Sequence, residues 1–315
     1  MAKKKTLVSV VINTLNEEKN IKRCLKSVEN FADEIIVVDM HSEDKTVKIA
    51  EDFGAKVYQH ERTGYVEPAR NFAIGKAEGK WILVLDADEK LPKSLAKKLT
   101  AIAKGETSKD PDCVLIPRKN IILGKWMKNS RWWPDYLPRF FKRGKIDWPE
   151  QIHQQPSLSG KKIYTLPDTE KMAIVHYNYE SLNQFLERNQ RYAKIQALEL
   201  VKDKNYQLSH KDLIISPLNE FLSRFFAGEA YKDGTHGLAL SLLQAWVNLL
   251  TYLKVWEHQN YEEKPLEPRW AKDILAEAIY QMEYWRDDFV MKTSESKVRP
   301  LQNLFLKIRQ NIIKW

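Results

Sequence analysis

Short apolar runs alternate with amphipathic stretches over the first third of the chain. Residues 7–12 and 35–38 are β-branched apolar runs, 56–59 is a weaker third, and Trp81-Ile82-Leu83-Val84-Leu85 is a fourth. Continuous apolar runs of this length predict buried strands. Between them, residues 17–30, 45–53 and 67–77 keep a helical spacing, with Gly54 and Gly79 as stops. One more helix is predicted over 92–104 and one more strand over 113–117. Strands that are apolar throughout, alternating with helices, predict a Rossmann-like α/β fold: a mostly parallel sheet with helices on both faces.

The texture changes after residue 120. Residues 121–165 are aromatic and Pro-punctuated around Arg131-Trp132-Trp133-Pro134-Asp135-Tyr136, which reads as short antiparallel strands and loops over the sheet edge. From residue 179 the pattern is helical, with Phe185, Asn189, Tyr192, Ile195 and Leu198 on one spacing. This divides the chain into an α/β domain over 1–178 and a helical region over 179–315.

Residues 238–255 form the most apolar segment, yet Ser241, Gln244, Asn248 and Thr251 recur every three or four positions as a polar stripe. Two readings stand: an interfacial helix on a membrane surface, with Phe221, Leu222, Phe225 and Phe226 as further anchors, or a helix packed within a helical core. The tail, 292–315, repeats an amphipathic pattern through Leu301, Leu304, Phe305, Ile308 and Ile312.

Composition narrows the setting. The net charge of +9 suits anionic partners, namely a nucleotide diphosphate, an anionic membrane surface or nucleic acid. Basic and acidic residues interleave without a recognised nucleic-acid motif, so no nucleic-acid partner is expected. Two cysteines, Cys24 and Cys113, are too few for a disulfide framework or a cysteine zinc site, which points to a reducing compartment. Basic residues at the amino end precede a short strand rather than a long apolar core, so no secretion signal is read.

The candidate chemistry lies at the predicted strand ends. Asp86-Ala87-Asp88 follows the fourth strand directly, at the sheet edge where open α/β folds bind ligands. Two carboxylates there suit a hard divalent cation whose other positions go to water and a diphosphate; the competing reading is a turn that caps the next helix. Asn13-Thr14-Leu15-Asn16-Glu17-Glu18 follows the first strand and Asp39-Met40-His41-Ser42 the second. Gly64, Glu67, Arg70 and Asn71 lie around the start of the third helix. Singly, Asn16 and Ser42 read as helix caps and Arg70 as a solvated face. Four polar clusters at successive strand ends are better explained together.

Taken as a set, Val8-Ser9-Val10-Val11-Ile12-Asn13, Asn16-Glu17, Ile36-Val37-Val38-Asp39, Ala69-Arg70-Asn71 and Leu85-Asp86-Ala87-Asp88-Glu89 resemble the family 2 glycosyltransferases over roughly the first 105 residues. A narrower resemblance, to the bacterial lipopolysaccharide-core β-glucosyltransferase type, extends through Pro134-Asp135-Tyr136, Arg139 to Arg143, His153, His176-Tyr177, Asp233-Gly234-Thr235-His236-Gly237 and Trp256-Glu257. The resemblance implies a GT-A fold and an inverting, metal-dependent hexosyltransferase. It implies a nucleoside-diphosphate sugar donor, UDP-sugar foremost, and a lipid-linked or glycolipid acceptor. It also implies a cytoplasmic enzyme, peripheral on the inner face of the cell membrane. On these positions, Asn13, Glu17, Asp39, Arg70, Asp86 and Arg139 would bind the donor. Asp86 and Asp88 would hold Mg²⁺ or Mn²⁺, Asp88 being the better direct ligand.

Two departures from the family pattern stand out. Met40-His41 replaces small residues after the strand-two aspartate, and His153-Gln154 stands where the narrower group carries His-Glu. The general base is therefore left between Asp135 and Glu150, each of which also reads as an ordinary loop carboxylate. Competing functions are a sugar-phosphate nucleotidyltransferase, disfavoured because no glycine-rich loop follows strand one, and a non-catalytic nucleotide-sugar-binding module.

Overall fold

The computed structural model describes residues 6–62, 67–149, 156–203, 205–266 and 268–293. Gly64, Glu150, His153, Gln154 and the tail beyond residue 293 lie outside the described residues.

The chain begins with β1 (Val8–Thr14), α1 (Ile21–Val28), β2 (Glu34–Asp39), α2 (Thr46–Asp52), β3 (Lys56–Gln59), α3 (Glu67–Lys76) and β4 (Trp81–Asp86). β1 pairs in parallel with β2 and β4, and β2 with β3. Every residue of β1 is buried, as a central strand covered on both faces requires. On one face lie Ile21, Cys24, Leu25 and Val28 of α1 and Ala50 of α2. On the other lie Ala69, Ala73 and Ala77, on and just after α3, with Met40 and Trp148. The side-chain period of 2 along β1 divides Val10 and Ile12 from Val11 in the same way.

Beyond β4 come β5 (Glu89–Lys90), α4 (Lys93–Ala103), β6 (Cys113–Ile122), β7 (Lys125–Trp126), β8 (Asp135–Lys142), β9 (Ile163–Thr165) and β10 (Ile174–Tyr179). The strand order is β3-β2-β1-β4-β8-β6-β10-β5, with β7 and β9 both paired to β6. β8 lies antiparallel to both β4 and β6, and β10 antiparallel to β5. The sheet is therefore α/β and parallel through its first four strands, then mixed. β6 and β8 run antiparallel because the short link between them holds no crossover helix. The Trp81 and Phe140 rings stack at 4.7 Å across the β4–β8 junction, both fully buried.

Helix α1 starts at Ile21, four residues later than its spacing predicts. Asn16 adopts a left-handed φ of 56°, and the β1–α1 loop is laced to the β2–α2 loop. The amide of Asn16 donates to Ser42 Oγ, that of Glu17 to Thr46 Oγ1 and that of Glu18 to Asp44 Oδ2. In return Glu43 N donates to Asn16 Oδ1. Asn16 and Ser42 thus join two loops instead of capping helices.

By contact the chain divides into two units, the first holding residues 1–126 and 132–178, the second residues 127–131 and 179–315. The second unit contains α5 (Leu182–Lys202), α6 (His210–Leu222), α7 (Thr235–His258) and α8 (Pro268–Thr293). Ser181 caps α5, and Ser209 with Asp212 forms a capping box on α6. The Asp233-Gly234-Thr235-His236-Gly237 motif belongs to the packing of this unit. Asp233 accepts from the amides of Lys128 and Asn129, Gly234 takes a φ of 63°, and a Cβ on Gly237 would sit 1.8 Å from the Ala230 carbonyl oxygen.

The buried face of helix α7 mixes polar and apolar residues, with Leu240, Val247 and Val255 buried beside part of its polar stripe. Ser241 and Thr251 of its polar stripe are buried, their hydroxyls donating to the carbonyls of Gly237 and Val247. Leu238, Leu242, Trp246 and Leu253, on the other side, are exposed. By length and composition α7 is apolar enough to cross a membrane, with 22% of its most apolar window buried.

Candidate active site

The parallel register sets Asn13 beside Asp86 and Thr14 beside Asp39, so four polar side chains share the carboxyl edge of the sheet. Asp39 is fully buried and accepts from the Ser42 amide at 2.8 Å and the Ser42 hydroxyl at 2.5 Å. Asn13 is 4% exposed, and neither atom of its amide has a hydrogen-bond partner among the described residues. A buried donor and acceptor left without protein partners suit a bound polar group. Glu17 lies on the loop above, its carboxylate accepting from Asn20 at 2.8 Å. Met40 packs into the core and His41 takes a left-handed φ of 59°, so the departure from small residues here is absorbed by the turn.

Asp86 stands between two guanidinium groups, Arg139 at 2.5 Å on Oδ2 and Arg70 at 3.3 Å on Oδ1. Burial alone would push this carboxyl up, but Arg139 and then Arg70 outweigh it and hold it well below the usual carboxylate range. Glu89, wholly buried, accepts from the Asp86 amide at 2.9 Å through Oε2 and from Arg139 at 3.0 Å and Arg118 at 3.5 Å through Oε1. Its carboxyl is raised, by burial first and by the neighbouring Asp86 charge as well, against the pull of Arg139. Arg118 continues the chain of charges to Asp135, its register partner on β8, at 2.6 Å. All the hydrogen bonds on Asp135 among the described residues converge on Oδ2, from Arg118 and from Asn120 Nδ2 at 3.3 Å.

Asp88 is buried on the turn after β4, with its Oδ1 3.5 Å from His176 Nε2 on β10. The other ring nitrogen, Nδ1, lies 2.6 Å from Asn120 Oδ1. Among the described residues, no group of three or more His, Cys, Asp or Glu side chains is placed to hold a metal ion. Asp88 nonetheless supplies the hard oxygen that Mg²⁺ and Mn²⁺ prefer, with their other positions left to water and phosphate oxygens, and His176 adds an imidazole nitrogen that suits Mn²⁺ better than Mg²⁺. The residues present therefore fit a cation held by two protein ligands.

This geometry changes three expectations. Arg139 is 2% exposed and one of its guanidinium nitrogens holds both Asp86 and Glu89, so it orders these carboxylates in addition to the donor-binding role expected of it. Asp86 has both oxygens engaged by guanidinium groups, which leaves Asp88 as the carboxylate beside a second metal-type donor. Arg70 is no solvated helix face: it is buried, paired with Asp86, and lies 5.3 Å over the Trp148 ring. Sequence reasoning gave no role to Glu89, Arg118, Asn120 or His176. Arg118 and Asn120 share one face of β6 by their i, i+2 spacing, but the predicted strand stopped at Pro117 and hid it.

The model described as Glycosyl transferase family 2 matches residues 9–159. A Rickettsia bellii protein described as an uncharacterized glycosyltransferase is 31% identical over 262 residues, covering 79% of this chain and 86% of that one. A Rickettsia felis protein of the same description is 30% identical, covering 79% and 89%. Among solved structures, Staphylococcus aureus TarS 1–349 in complex with UDP aligns over 98% of this chain and 88% of that one, at 24% identity and a TM-score of 0.44. The parallel strands that carry Asn13, Asp39 and Asp86 all fall inside the matched residues: the chain belongs to glycosyl transferase family 2.

Proposed function

We propose that this glycosyltransferase moves a hexose, glucose foremost, with inversion from a UDP-sugar to a lipid-linked acceptor of the lipopolysaccharide-core type. The observation that carries the reading is the convergence at one sheet edge of Asn13, Asp39, Asp86 and the Asp88–His176 pair. The buried Asn13 amide and Asp39, with Glu17 above them, supply hydrogen-bonding groups for a nucleoside. Asp86, ordered by Arg139, would hold the ribose, and Arg70, paired with Asp86, would lend positive charge to the departing diphosphate. Asp88 and His176 would hold Mg²⁺ or Mn²⁺, which when bound offsets the charge that grows on the leaving diphosphate.

Transfer is a displacement at the anomeric carbon. The acceptor oxygen forms the new bond as the bond to the diphosphate oxygen breaks, and the acceptor proton passes to a carboxylate. Asp135 suits that role because Arg118 and Asn120 fix Oδ2 and leave Oδ1 for the proton. Glu150, the other candidate, lies outside the described residues. The outward apolar stripe of α7 supports docking on the cytoplasmic surface of an anionic membrane, where a lipid-linked acceptor resides.

The test is nucleoside diphosphate release from UDP-, GDP- and dTDP-hexoses with Mn²⁺ or Mg²⁺. Release from a UDP-hexose that is lost in Asp88→Ala is expected. Failure of every donor to bind or turn over would contradict the proposal.

A further inference from the structure

Asn120 is 1% exposed and its side chain touches two parts of the site. Its Nδ2 donates to the Trp132 carbonyl oxygen at 2.8 Å and to Asp135 Oδ2 at 3.3 Å. Both partners are pure acceptors, so the amide cannot be turned over without setting oxygen against oxygen. Its Oδ1 must then point at His176, where it lies 2.6 Å from Nδ1. A carbonyl oxygen only accepts, so Nδ1 must carry the proton. In the neutral ring that leaves the lone pair on Nε2, the nitrogen that faces Asp88 Oδ1 at 3.5 Å.

We infer that Asn120 is a positioning residue that fixes His176 in its Nδ1–H tautomer, so that Nε2 is presented as a ligand beside Asp88, and that the same amide ties this cation side of the site to Asp135. The inference rests on the reading of Asp88 and His176 as cation ligands. Histidines that bind metals commonly donate their other ring N–H to an oxygen acceptor, and loss of that acceptor weakens binding about 10- to 100-fold. Here the acceptor is a side chain anchored by two further hydrogen bonds, on β6, while the histidine is on β10. The tautomer is thus set by the pairing of neighbouring strands before any ligand arrives. The linkage also gives one residue contact with both the proposed base and the proposed cation ligand. A change at Asn120 therefore reaches both, though it touches neither donor nor acceptor.

The test joins ring ¹⁵N NMR of the metal-free protein to Mn²⁺ titration followed by EPR. The His176 signals are identified by their loss in His176→Gln. The wild-type ring is expected as the Nδ1–H tautomer at a pH where it is neutral. Asn120→Ala is expected to lose that preference and to bind Mn²⁺ about 10- to 100-fold more weakly, and His176→Gln to bind it at least as weakly. A wild-type ring protonated at Nε2 overturns the inference without any variant needing to fold. Weakened Mn²⁺ binding in His176→Gln with none in Asn120→Ala overturns the inference alone. Unchanged Mn²⁺ binding in both overturns the cation-site reading and the inference with it.

Discussion

One guanidinium nitrogen of Arg139 donates to Asp86 at 2.5 Å and to Glu89 at 3.0 Å. Both acids sit on the same strand–turn–strand element, where Arg70 also pairs with Asp86 and Arg118 with Glu89. Removing Arg139 takes the nearest cation from the fully buried Glu89 and leaves it only Arg118, at 3.5 Å. Arg139→Met is expected to destabilise the protein by about 3–5 kcal/mol, the range for breaking a buried ion pair. Urea unfolding checks this, and a loss under about 1 kcal/mol would show that the cluster is solvated.

Asp135 is anchored through one oxygen, which separates its position from its chemistry. Asp135→Asn keeps an acceptor for Arg118 and is expected to fold normally. If Asp135 is the base, kcat falls about 10²- to 10⁴-fold with KM little changed. Glu150→Gln measured beside it assigns the role, because only one of the two variants should show that loss.

At the opposite edge of the sheet, Glu34 gives the acid dependence of stability a specific source. It accepts from Ser9 Oγ at 2.5 Å, the Glu78 amide at 3.0 Å and Lys56 Nζ at 2.7 Å. Burial raises its carboxyl, but Lys56, Ser9 and the Glu78 amide more than offset this and leave it lowered. A lowered folded-state pKa contributes stability that is fully present above the ordinary value, about 4.3, and is lost as pH falls through the folded value. Wild type should therefore exceed Glu34→Gln in Tm at pH 7, with the gap closing below about pH 4. A gap that persists unchanged in acid would assign the effect to packing.

The exposed face of α7 predicts membrane behaviour. Wild type is expected to partition to anionic liposomes, and Leu242→Lys with Trp246→Glu to lower that partition about tenfold or more, since charge replaces apolar contact area. Both side chains are exposed, so the unfolding midpoint should hold. Complete recovery of wild type in the soluble fraction at low salt would remove the docking reading.

Much of the α/β half was legible because its signals are local. The β3 span matches the predicted 56–59, and the apolar run at 81–85 ends at Asp86 as expected. What escaped was set by tertiary partners. The start of α1 depends on a loop 26 residues away, through Asn16 and Ser42. Arg139 was expected at the donor, but nothing in its sequence neighbourhood signals the two acids that pair with it. His176 and Asn120 are 56 residues apart, and only the adjacency of β6 and β10 joins them. The α7 stripe was visible, but which side faced inward was not, since Ser241 and Thr251 can satisfy their hydroxyls on their own i−4 carbonyls and so be buried beside apolar neighbours.

The most direct test of the account is calorimetric titration of UDP into the protein with and without Mn²⁺, for wild type and Asp88→Ala. Wild type should bind UDP at least tenfold more tightly when Mn²⁺ is present, a coupling of about 1.4 kcal/mol, and Asp88→Ala should show no such gain. Equal UDP affinity with and without Mn²⁺ in wild type, or an equal gain in the variant, would contradict the assignment of Asp88 to the cation and of this sheet edge to the donor.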